Sequence, residues 1–94
     1  MVRKLQKADI DRVADIWLDT NLKAHDFISA QYWKRNFELV KEMLLQAEVY
    51  VYESDQKIQG FIGLNNDYIE GIFVSDKMQS QGIGKILLND TTDK

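Results

Sequence analysis

The stretch IEGIFVSDKMQSQGIGKILL, residues 69–88, decides the fold of this chain. A β-strand is predicted over Tyr68–Val74, since apolar and aromatic residues dominate there. A polar segment containing Gly82 and Gly84 follows, and the apolar residues after it predict a helix. The chain therefore passes from a strand through a glycine loop into a helix. The first amides of a helix have no intrahelical partner and lie at the positive end of its dipole, so this order predicts an anion site.

The two glycines of this loop suit the approach of a phosphate. Gly82 and Gly84 present no Cβ to a phosphate at the backbone, and a nearby lysine can add positive charge, either Lys77 or Lys85. A helix start that merely needs flexible residues would explain the same glycines, and this alternative stays open. Two other phosphate loops are excluded, because the chain has no Gly-x-x-x-x-Gly-Lys-Ser/Thr sequence and Leu87 replaces the third glycine of a dinucleotide fingerprint. A nucleotide hydrolase and a Rossmann dehydrogenase are therefore not predicted.

Two further strands precede this stretch. Residues 48–53 and 58–64 are rich in β-branched and aromatic residues, which favours strands. Polar residues at 54–57 and 65–67 predict short turns between them and before Tyr68–Val74. Three consecutive strands joined by short turns indicate an antiparallel meander.

The first half of the chain predicts a short strand and two helices. Val2–Leu5 suits the strand, and Asp9 can cap a helix that should reach about Lys23. Ser29 can cap the second helix, in which large apolar residues recur every three or four positions. These residues form one face of the predicted helix: Trp33, Phe37, Val40 and Leu44. The whole chain therefore predicts an α+β fold with a mostly antiparallel sheet.

The composition limits the function further. The chain has 94 residues, a net charge of −3, no cysteine and one histidine, which predicts one small domain without disulfides, a thiolate nucleophile or a metal site. The acidic balance without a basic run argues against a nucleic-acid partner. No apolar stretch approaches the roughly 20 residues of a membrane span, and no signal peptide is evident. We therefore expect a cytoplasmic protein without a membrane partner.

Residues 69–88 resemble the acetyl-coenzyme A motif of the GNAT superfamily of N-acetyltransferases. The core of that motif, Gln/Arg-x-x-Gly-x-Gly/Ala, is matched by Gln79, Gly82 and Gly84. It follows a strand that ends in an aliphatic or aromatic pair, here Phe73–Val74. The upstream order of strand, helices and antiparallel strands resembles the same fold over all 94 residues. The resemblance implies an acyl-CoA N-acyltransferase fold and acetyl-CoA as co-substrate.

The same resemblance implies which residues bind the coenzyme. Its pantetheine would pair like an extra strand with the backbone of Ile72, Phe73 and Val74. Its pyrophosphate would lie on backbone amides of the glycine loop, contributed by Gln79, Ser80, Gln81, Gly82, Ile83, Gly84 and Lys85. Many members of the superfamily carry glycine at the position of Ser80, whose N–H is nevertheless retained.

The implied reaction is direct transfer of the acetyl group from the thioester to a primary amine of a small molecule or a peptide. An amine attacks only when it is neutral, so the site needs a proton acceptor. Glu70 is the candidate base, because it is the one acidic residue in an otherwise apolar strand. A carboxylate on an edge or solvent face would explain it equally well. Tyr68 shares the same strand face by the period of two and could orient a water molecule or the acceptor.

A second candidate region is the connector between the two predicted helices. Its sequence AHDFI, residues 24–28, is followed by Tyr32 and Trp33 and resembles a segment of small bacterial GNAT enzymes. The resemblance implies that His25, Phe27 and Trp33 line the acceptor pocket. A hydrogen-bonded structural role stays open for the histidine, and core packing stays open for Trp33.

The length of the chain is also informative. Residues 89–94 alone remain after the predicted last helix, whereas the resemblance implies a further parallel strand, a helix that commonly carries a Tyr general acid, and a closing hairpin. We therefore expect residues 1–94 to be a single, truncated GNAT-like domain that lacks its C-terminal strands and helix. The alternative function is a non-catalytic module of the same fold, which binds coenzyme A or forms a homodimer through the exposed edge of its last strand.

Overall fold

Four strands and four α-helices make up the described part of the chain. A computed structural model of the chain describes residues 1–65, 68–79 and 81–92, with the side chains of Tyr68, Lys77 and Thr92 outside that description. The strands are β1 (Val2–Lys4), β2 (Glu48–Ser54), β3 (Lys57–Asn65) and β4 (Tyr68–Val74). The helices are α1 (Ile10–Ala24), α2 (Ala30–Arg35), α3 (Phe37–Gln46) and α4 (Ile83–Thr92), and short 3-10 turns lie at Lys7–Asp9 and Asp76–Met78.

The sheet is antiparallel throughout, and its strand order is β1-β2-β3-β4. Val51 of β2 lies opposite Phe61 of β3, which in turn lies opposite Phe73 of β4. At one edge, β4 pairs with β3 alone within the part of the chain that the structure describes. The predicted α+β fold with an antiparallel meander is confirmed.

Helices cover both faces of the sheet. Successive residues of a strand point to opposite sides, and apolar residues on each side need a covering layer. One core lies between the sheet and helices α1 and α3 and includes Val13, Val51 and Phe61. The other lies between the sheet and α4 and includes Ile62 and Leu87. The loop between β4 and α4 therefore starts and ends on elements held by buried side chains. In the described part of the chain, no helix is both long and apolar enough to cross a membrane.

The predicted second helix is two helices, so that prediction was wrong. Ser29 does cap α2, since its hydroxyl accepts the N–H of Gln31 at 3.2 Å. The break follows at Asn36, whose side-chain amide donates to the carbonyl of Tyr32 at 2.8 Å. That carbonyl would accept the Asn36 backbone N–H in a continuous helix, but this N–H bonds instead to the carbonyl of Trp33 at 3.2 Å. The side chain of Asn36 thus competes with the helical hydrogen bond and ends α2.

Asp9 precedes α1, as predicted, but its carboxylate does not cap the helix. It accepts the N–H of Gln6 at 2.8 Å and two hydrogen bonds from the guanidinium of Arg3, at 2.7 and 3.1 Å. Arg3 also donates to Glu53 on β2 at 3.0 Å. The predicted cap was wrong because Arg3 binds this carboxylate instead. The hydrogen bonds from Arg3 hold the pKa of Asp9 below its ordinary value.

Candidate active site beside strand β4

The loop between β4 and α4 has a backbone position without a side chain at Gly82. Gly82 has a positive φ of 79°, a conformation that glycine adopts without strain, and a Cβ there would meet no described atom within 4 Å. Its carbonyl accepts the N–H of Ile86 at 3.0 Å and so begins α4. Because residue 82 has no side chain, a ligand could approach the first backbone amides of α4 at this position.

The glycine loop is also fixed to β4. A Cβ on Gly84 would lie 3.6 Å from Cγ2 of Ile72 and 3.9 Å from Cγ2 of Val74, so the first turn of α4 packs against the strand. The side-chain amide of Gln79 donates to the carbonyl of Val74 at 3.3 Å. Ile83 is buried in the core beneath α4, which leaves only its backbone for a ligand. These contacts bring the predicted loop and strand residues of the coenzyme site together.

Three predicted coenzyme residues of the loop have different surroundings. Gln81 and Lys85 are exposed, so both can reach a ligand from solvent. Ser80 lies outside the described residues, and its predicted role stays a prediction. The sequence from residue 48 to 94 carries a net charge of −4, so the bound anion would depend on local backbone geometry.

An irregularity in β4 determines the position of Glu70. Leu64 pairs with Ile69, and the preceding residue Gly63 pairs with Gly71, so Glu70 has no residue opposite it. This β-bulge interrupts the alternation of side chains along the strand. Tyr68 and Glu70 were expected to share one face because side chains alternate along a regular strand, but the bulge breaks that alternation between them. The predicted role of Tyr68 stays a prediction.

A cavity of about 200 Å³ lies between the bulged strand and helices α1 and α3. Its walls are mainly apolar and include Trp17, Val40, Phe61 and Phe73. Glu70 also lines it and is the one charged residue among the described lining side chains. Its carboxylate is exposed and accepts a hydrogen bond from the side-chain amide of Asn65 at 3.3 Å. The candidate base thus lies where an apolar cavity opens to solvent. This position is compatible both with a general base and with a carboxylate on a solvent face, the two roles considered for Glu70.

Two glycines lie in the part of the cavity wall that the sheet contributes. Gly63 and Gly71 lie opposite each other on β3 and β4, and both line the cavity. A Cβ on Gly71 would lie 2.6 Å from Cε2 of Phe73, whose ring stacks on Phe61 with centroids 4.9 Å apart. A Cβ on Gly63 would meet no described atom within 4 Å. Sequence reasoning gave neither glycine a role in the site, although glycine inside a strand can signal a bulge or a close approach.

The three predicted acceptor residues lie in one aromatic cluster, formed by His25, Phe27, Tyr32 and Trp33. The ring of His25 stacks on Trp33 at 5.6 Å and meets Phe27 edge-on at 5.9 Å. Trp33 in turn contacts Trp17, at 5.8 Å between ring centroids, and Trp17 lines the cavity. The aromatic cluster is therefore connected to the cavity of Glu70 through one side chain, and Phe27 is 80% exposed at its outer side.

An ion pair joins the end of α1 to the segment that leads from β4 into the glycine loop. Lys23, in the last turn of α1, lies 2.9 Å from Asp76, in the turn that follows β4. The hydrogen bond with Asp76 raises the pKa of Lys23 above its ordinary value. Sequence reasoning missed this pair, because nothing in the local pattern connects two residues so far apart. No group of three or more potential metal ligands occurs within residues 1–65, 68–79 and 81–92.

Comparisons with known proteins identify the family of this chain. The family model of the acetyltransferase (GNAT) domain matches residues 13–94. Among curated proteins, the peptidyl-lysine N-acetyltransferase YiaC of Escherichia coli is 32% identical over 90 residues, which cover 94% of this chain and 62% of that protein. The peptidyl-lysine N-acetyltransferase YjaB of Salmonella typhimurium is 30% identical over 88 residues, which cover 93% and 61%. The chain thus spans less than two thirds of the length of these relatives.

Solved structures show the same fold. The solution structure of apo YjaB from Escherichia coli matches with a TM-score of 0.83 and 23% identity, over 96% of this chain and 62% of that one. The crystal structure of the PaiA N-acetyltransferase from Thermoplasma acidophilum, a complex with coenzyme A, matches with a TM-score of 0.80 and 14% identity, over 99% and 69%. At these identities the likeness concerns the fold alone.

Proposed function

The chain belongs to the GNAT acetyltransferase family, and we propose that it transfers the acetyl group of acetyl-CoA to a primary amine. One observation carries the proposal: β4, the glycine loop and α4 follow one another beside a cavity with a carboxylate at its mouth, and at Gly82 no described atom lies within 4 Å of where a Cβ would be. Because the relatives are named peptidyl-lysine N-acetyltransferases, we propose a lysine side chain of a peptide as the acceptor.

The residues of the loop fit the coenzyme. A side chain at Gly82 would project into the space that a phosphate needs, and that space is free of described atoms. The pyrophosphate would accept N–H groups from residues 79–85 at the positive end of the α4 dipole. The pantetheine would pair with the backbone of residues 72–74, at the edge of β4 where no described strand lies. Acetyl-CoA supplies an activated thioester carbonyl to this site.

Glu70 would act on the acceptor. A lysine side chain arrives as an ammonium ion, and the carboxylate, directly or through water, takes one proton so that the nitrogen lone pair can attack the thioester carbonyl. As the new C–N bond forms, the C–S bond breaks and its electron pair leaves with sulfur. The nitrogen then gives up a second proton, which passes through water to the sulfur, so that the products are the amide and the thiol of coenzyme A. Tyr68 is proposed to orient the water molecule or the acceptor.

The aromatic cluster would contact the part of the acceptor that lies outside the reacting centre. Phe27 offers an exposed ring, and the stacked pair of His25 and Trp33 lies behind it. Aromatic faces bind both the apolar stem of a lysine and neighbouring peptide groups.

A cytoplasmic location stays a prediction from the sequence.

A homodimer through β4 is the second candidate function, and the exposure of this edge favours it. Ile69 is 41% exposed and Ile72 is 37% exposed, on a seven-residue strand. An edge of this kind can pair with the same edge of a second copy. Because the pantetheine would use the same backbone groups, coenzyme and second copy should exclude each other.

Titration of the 94-residue chain with coenzyme A by calorimetry tests the proposal. Gly82→Asp and Gly82→Asn form a matched pair, since both side chains tolerate a positive φ and differ in charge rather than size. We expect Gly82→Asp to bind at least about tenfold more weakly than Gly82→Asn, because its carboxylate repels the pyrophosphate. Equal affinities of the two variants would contradict a phosphate site at this loop.

Release of free thiol from acetyl-CoA, measured with lysine peptides, tests the transfer. We expect turnover that Glu70→Gln reduces by about 100-fold or more, as is typical for loss of a general base. Binding of coenzyme A without any thiol release would instead support a non-catalytic binding module. If the chain forms a dimer and coenzyme A fails to dissociate it, then the coenzyme and the second copy do not bind the same backbone groups of β4.

A further inference from the structure

We propose that the cavity beside β4 binds the acyl chain of the thioester and accepts straight chains longer than acetyl. This inference rests on the proposed function, because it assumes that the coenzyme lies along β4. It concerns the donor substrate: acyl-CoA thioesters with three or four carbons would bind more tightly than acetyl-CoA.

The direction of the strand brings the thioester to the cavity. The glycine loop follows the C-terminal end of β4, so a coenzyme whose pyrophosphate lies on the loop runs back along the strand. It passes Val74, Phe73 and Ile72 in turn, and its acyl end arrives next to Gly71. Gly71 lines the cavity, which opens on the α1 and α3 side of the sheet.

The chemistry of the cavity suits an aliphatic chain. Its volume is about 200 Å³, and an apolar cavity of about 150 Å³ is large enough for benzene. The walls are the side chains of aromatic and aliphatic residues such as Trp17, Val40 and Phe61. The single lining carboxylate, Glu70, would repel an acyl group that ends in a carboxylate. The cavity therefore favours propionyl and butyryl groups over succinyl.

The absence of a side chain at Gly63 keeps this space open. Strand positions favour β-branched and aromatic residues, and glycine inside a strand gives up packing. A Cβ on Gly63 would nevertheless meet no described atom within 4 Å, so a side chain can begin there without displacing its neighbours. Gly71 differs, because the ring of Phe73 already occupies the space above it. Gly63 is thus the position at which a substitution fills the cavity from the sheet side.

Calorimetry with free coenzyme A and its acetyl, propionyl, butyryl and succinyl thioesters tests the inference. Each buried methylene is expected to tighten binding by about fourfold, from acetyl to butyryl. Affinities are expressed relative to free coenzyme A for each variant, so that effects common to all ligands cancel. Succinyl-CoA should bind more weakly than butyryl-CoA.

Gly63→Val should abolish the increase with chain length, because its side chain occupies the space of the added methylenes. Val40→Ala should extend the increase to hexanoyl-CoA, because it enlarges the cavity. Lys4→Val, an exposed strand substitution on β1, is the control and should keep the wild-type dependence. Thermal unfolding of each variant confirms that it is folded.

The outcomes separate the two proposals. Binding of coenzyme A with no gain beyond acetyl would overturn the acyl-chain site and leave the proposed function standing. A gain that Gly63→Val leaves unchanged would also overturn it, because the chain would then lie elsewhere. Failure to bind coenzyme A at all would overturn both.

Discussion

The two edges of the sheet differ in what holds them. At the β1 edge, Arg3 makes two hydrogen bonds to Asp9 and one to Glu53, so charged side chains join strand, helix start and neighbouring strand. At the β4 edge, Ile69 and Ile72 are exposed, and no described strand pairs with the outer side. Charged side chains thus anchor the edge strand β1, whereas the exposed residues named on β4 are apolar.

This difference separates stability from ligand binding. The carboxylate of Asp9 is only 11% exposed, so its ion pair with Arg3 is shielded from water and salt. The ion pair between Lys23 and Asp76, beside the glycine loop, has both side chains 54% exposed. Substitutions at the β1 edge should therefore change the free energy of unfolding. Substitutions of exposed side chains around the β4 edge should mainly change how the coenzyme binds, whereas a substitution at a buried contact of β4 should also change stability.

Arg3→Ala is expected to have the largest effect on stability. It leaves Asp9 as a poorly solvated carboxylate without its guanidinium, which should reduce the free energy of unfolding by about 2–3 kcal/mol. Denaturant unfolding measures the change, with Lys4→Ala as the control. Lys4 is the exposed neighbour on the same strand, so its substitution should matter by less than about 0.5 kcal/mol. Equal effects of the two substitutions would contradict the anchoring of β1 by Arg3.

Gly60→Ala should have the next largest effect, and it concerns the β4 edge. A Cβ on Gly60 would lie 2.8 Å from the carbonyl oxygen of Phe73 and 3.3 Å from Cγ2 of Ile83. Because that carbonyl belongs to a paired strand, β4 must shift, at a cost of about 1–3 kcal/mol. Coenzyme A affinity should fall as well, since Ile83 begins α4. Gly63→Ala is the matched control on the same strand.

Gly63→Ala should keep or raise the free energy of unfolding. Its methyl group enters open space, and alanine reduces the entropy of the unfolded chain by about 0.4–1 kcal/mol. Denaturant unfolding of both variants shows whether the contrast exists. If Gly63→Ala destabilises the protein as much as Gly60→Ala, the space above Gly63 is not open.

Sequence reasoning succeeded where local pattern decides the structure. The strand Tyr68–Val74 has the predicted bounds, because a run that is apolar or aromatic apart from Glu70 and Gly71 lies between polar turns. The family resemblance carried by residues 69–88 is confirmed by the match of the GNAT domain over residues 13–94. The loop residues that the resemblance assigns to the coenzyme lie close together, since neighbours in sequence remain neighbours in a tight loop, and their role stays a prediction.

Sequence reasoning failed where a distant or competing partner decides. The apolar period continues across Asn36, so no pattern revealed that its side chain would take the carbonyl of Tyr32 and end a helix. The bulge at Glu70 depends on the register between β3 and β4. The cavity depends on the same register, because it needs Gly63 opposite Gly71.

The loss of stability at acid pH should report the ion pair between Arg3 and Asp9 at the β1 edge. Arg3 lowers the pKa of Asp9 in the folded protein below its ordinary value of 3.8, so the unfolded chain binds a proton more readily. The stabilisation is therefore complete above about pH 4 and is lost as the pH falls through the lower, folded pKa. Unfolding free energies between pH 7 and pH 2 measure this. The wild-type protein should lose more stability over this range than Asp9→Asn, which cannot titrate, and parallel curves would contradict the assignment.

Lys23→Ala should have the smallest effect and therefore tests the contrast most directly. It removes an ion pair of 2.9 Å, about as short as those of Arg3, but one whose partners are both half exposed to solvent. Exposed pairs gain little, because water solvates the separated charges and ordering two long side chains costs entropy. We expect no measurable change in the midpoint of denaturant unfolding. If Lys23→Ala destabilises the chain as strongly as Arg3→Ala, then the region around the β4 edge is held by charge too, and burial does not distinguish the two edges.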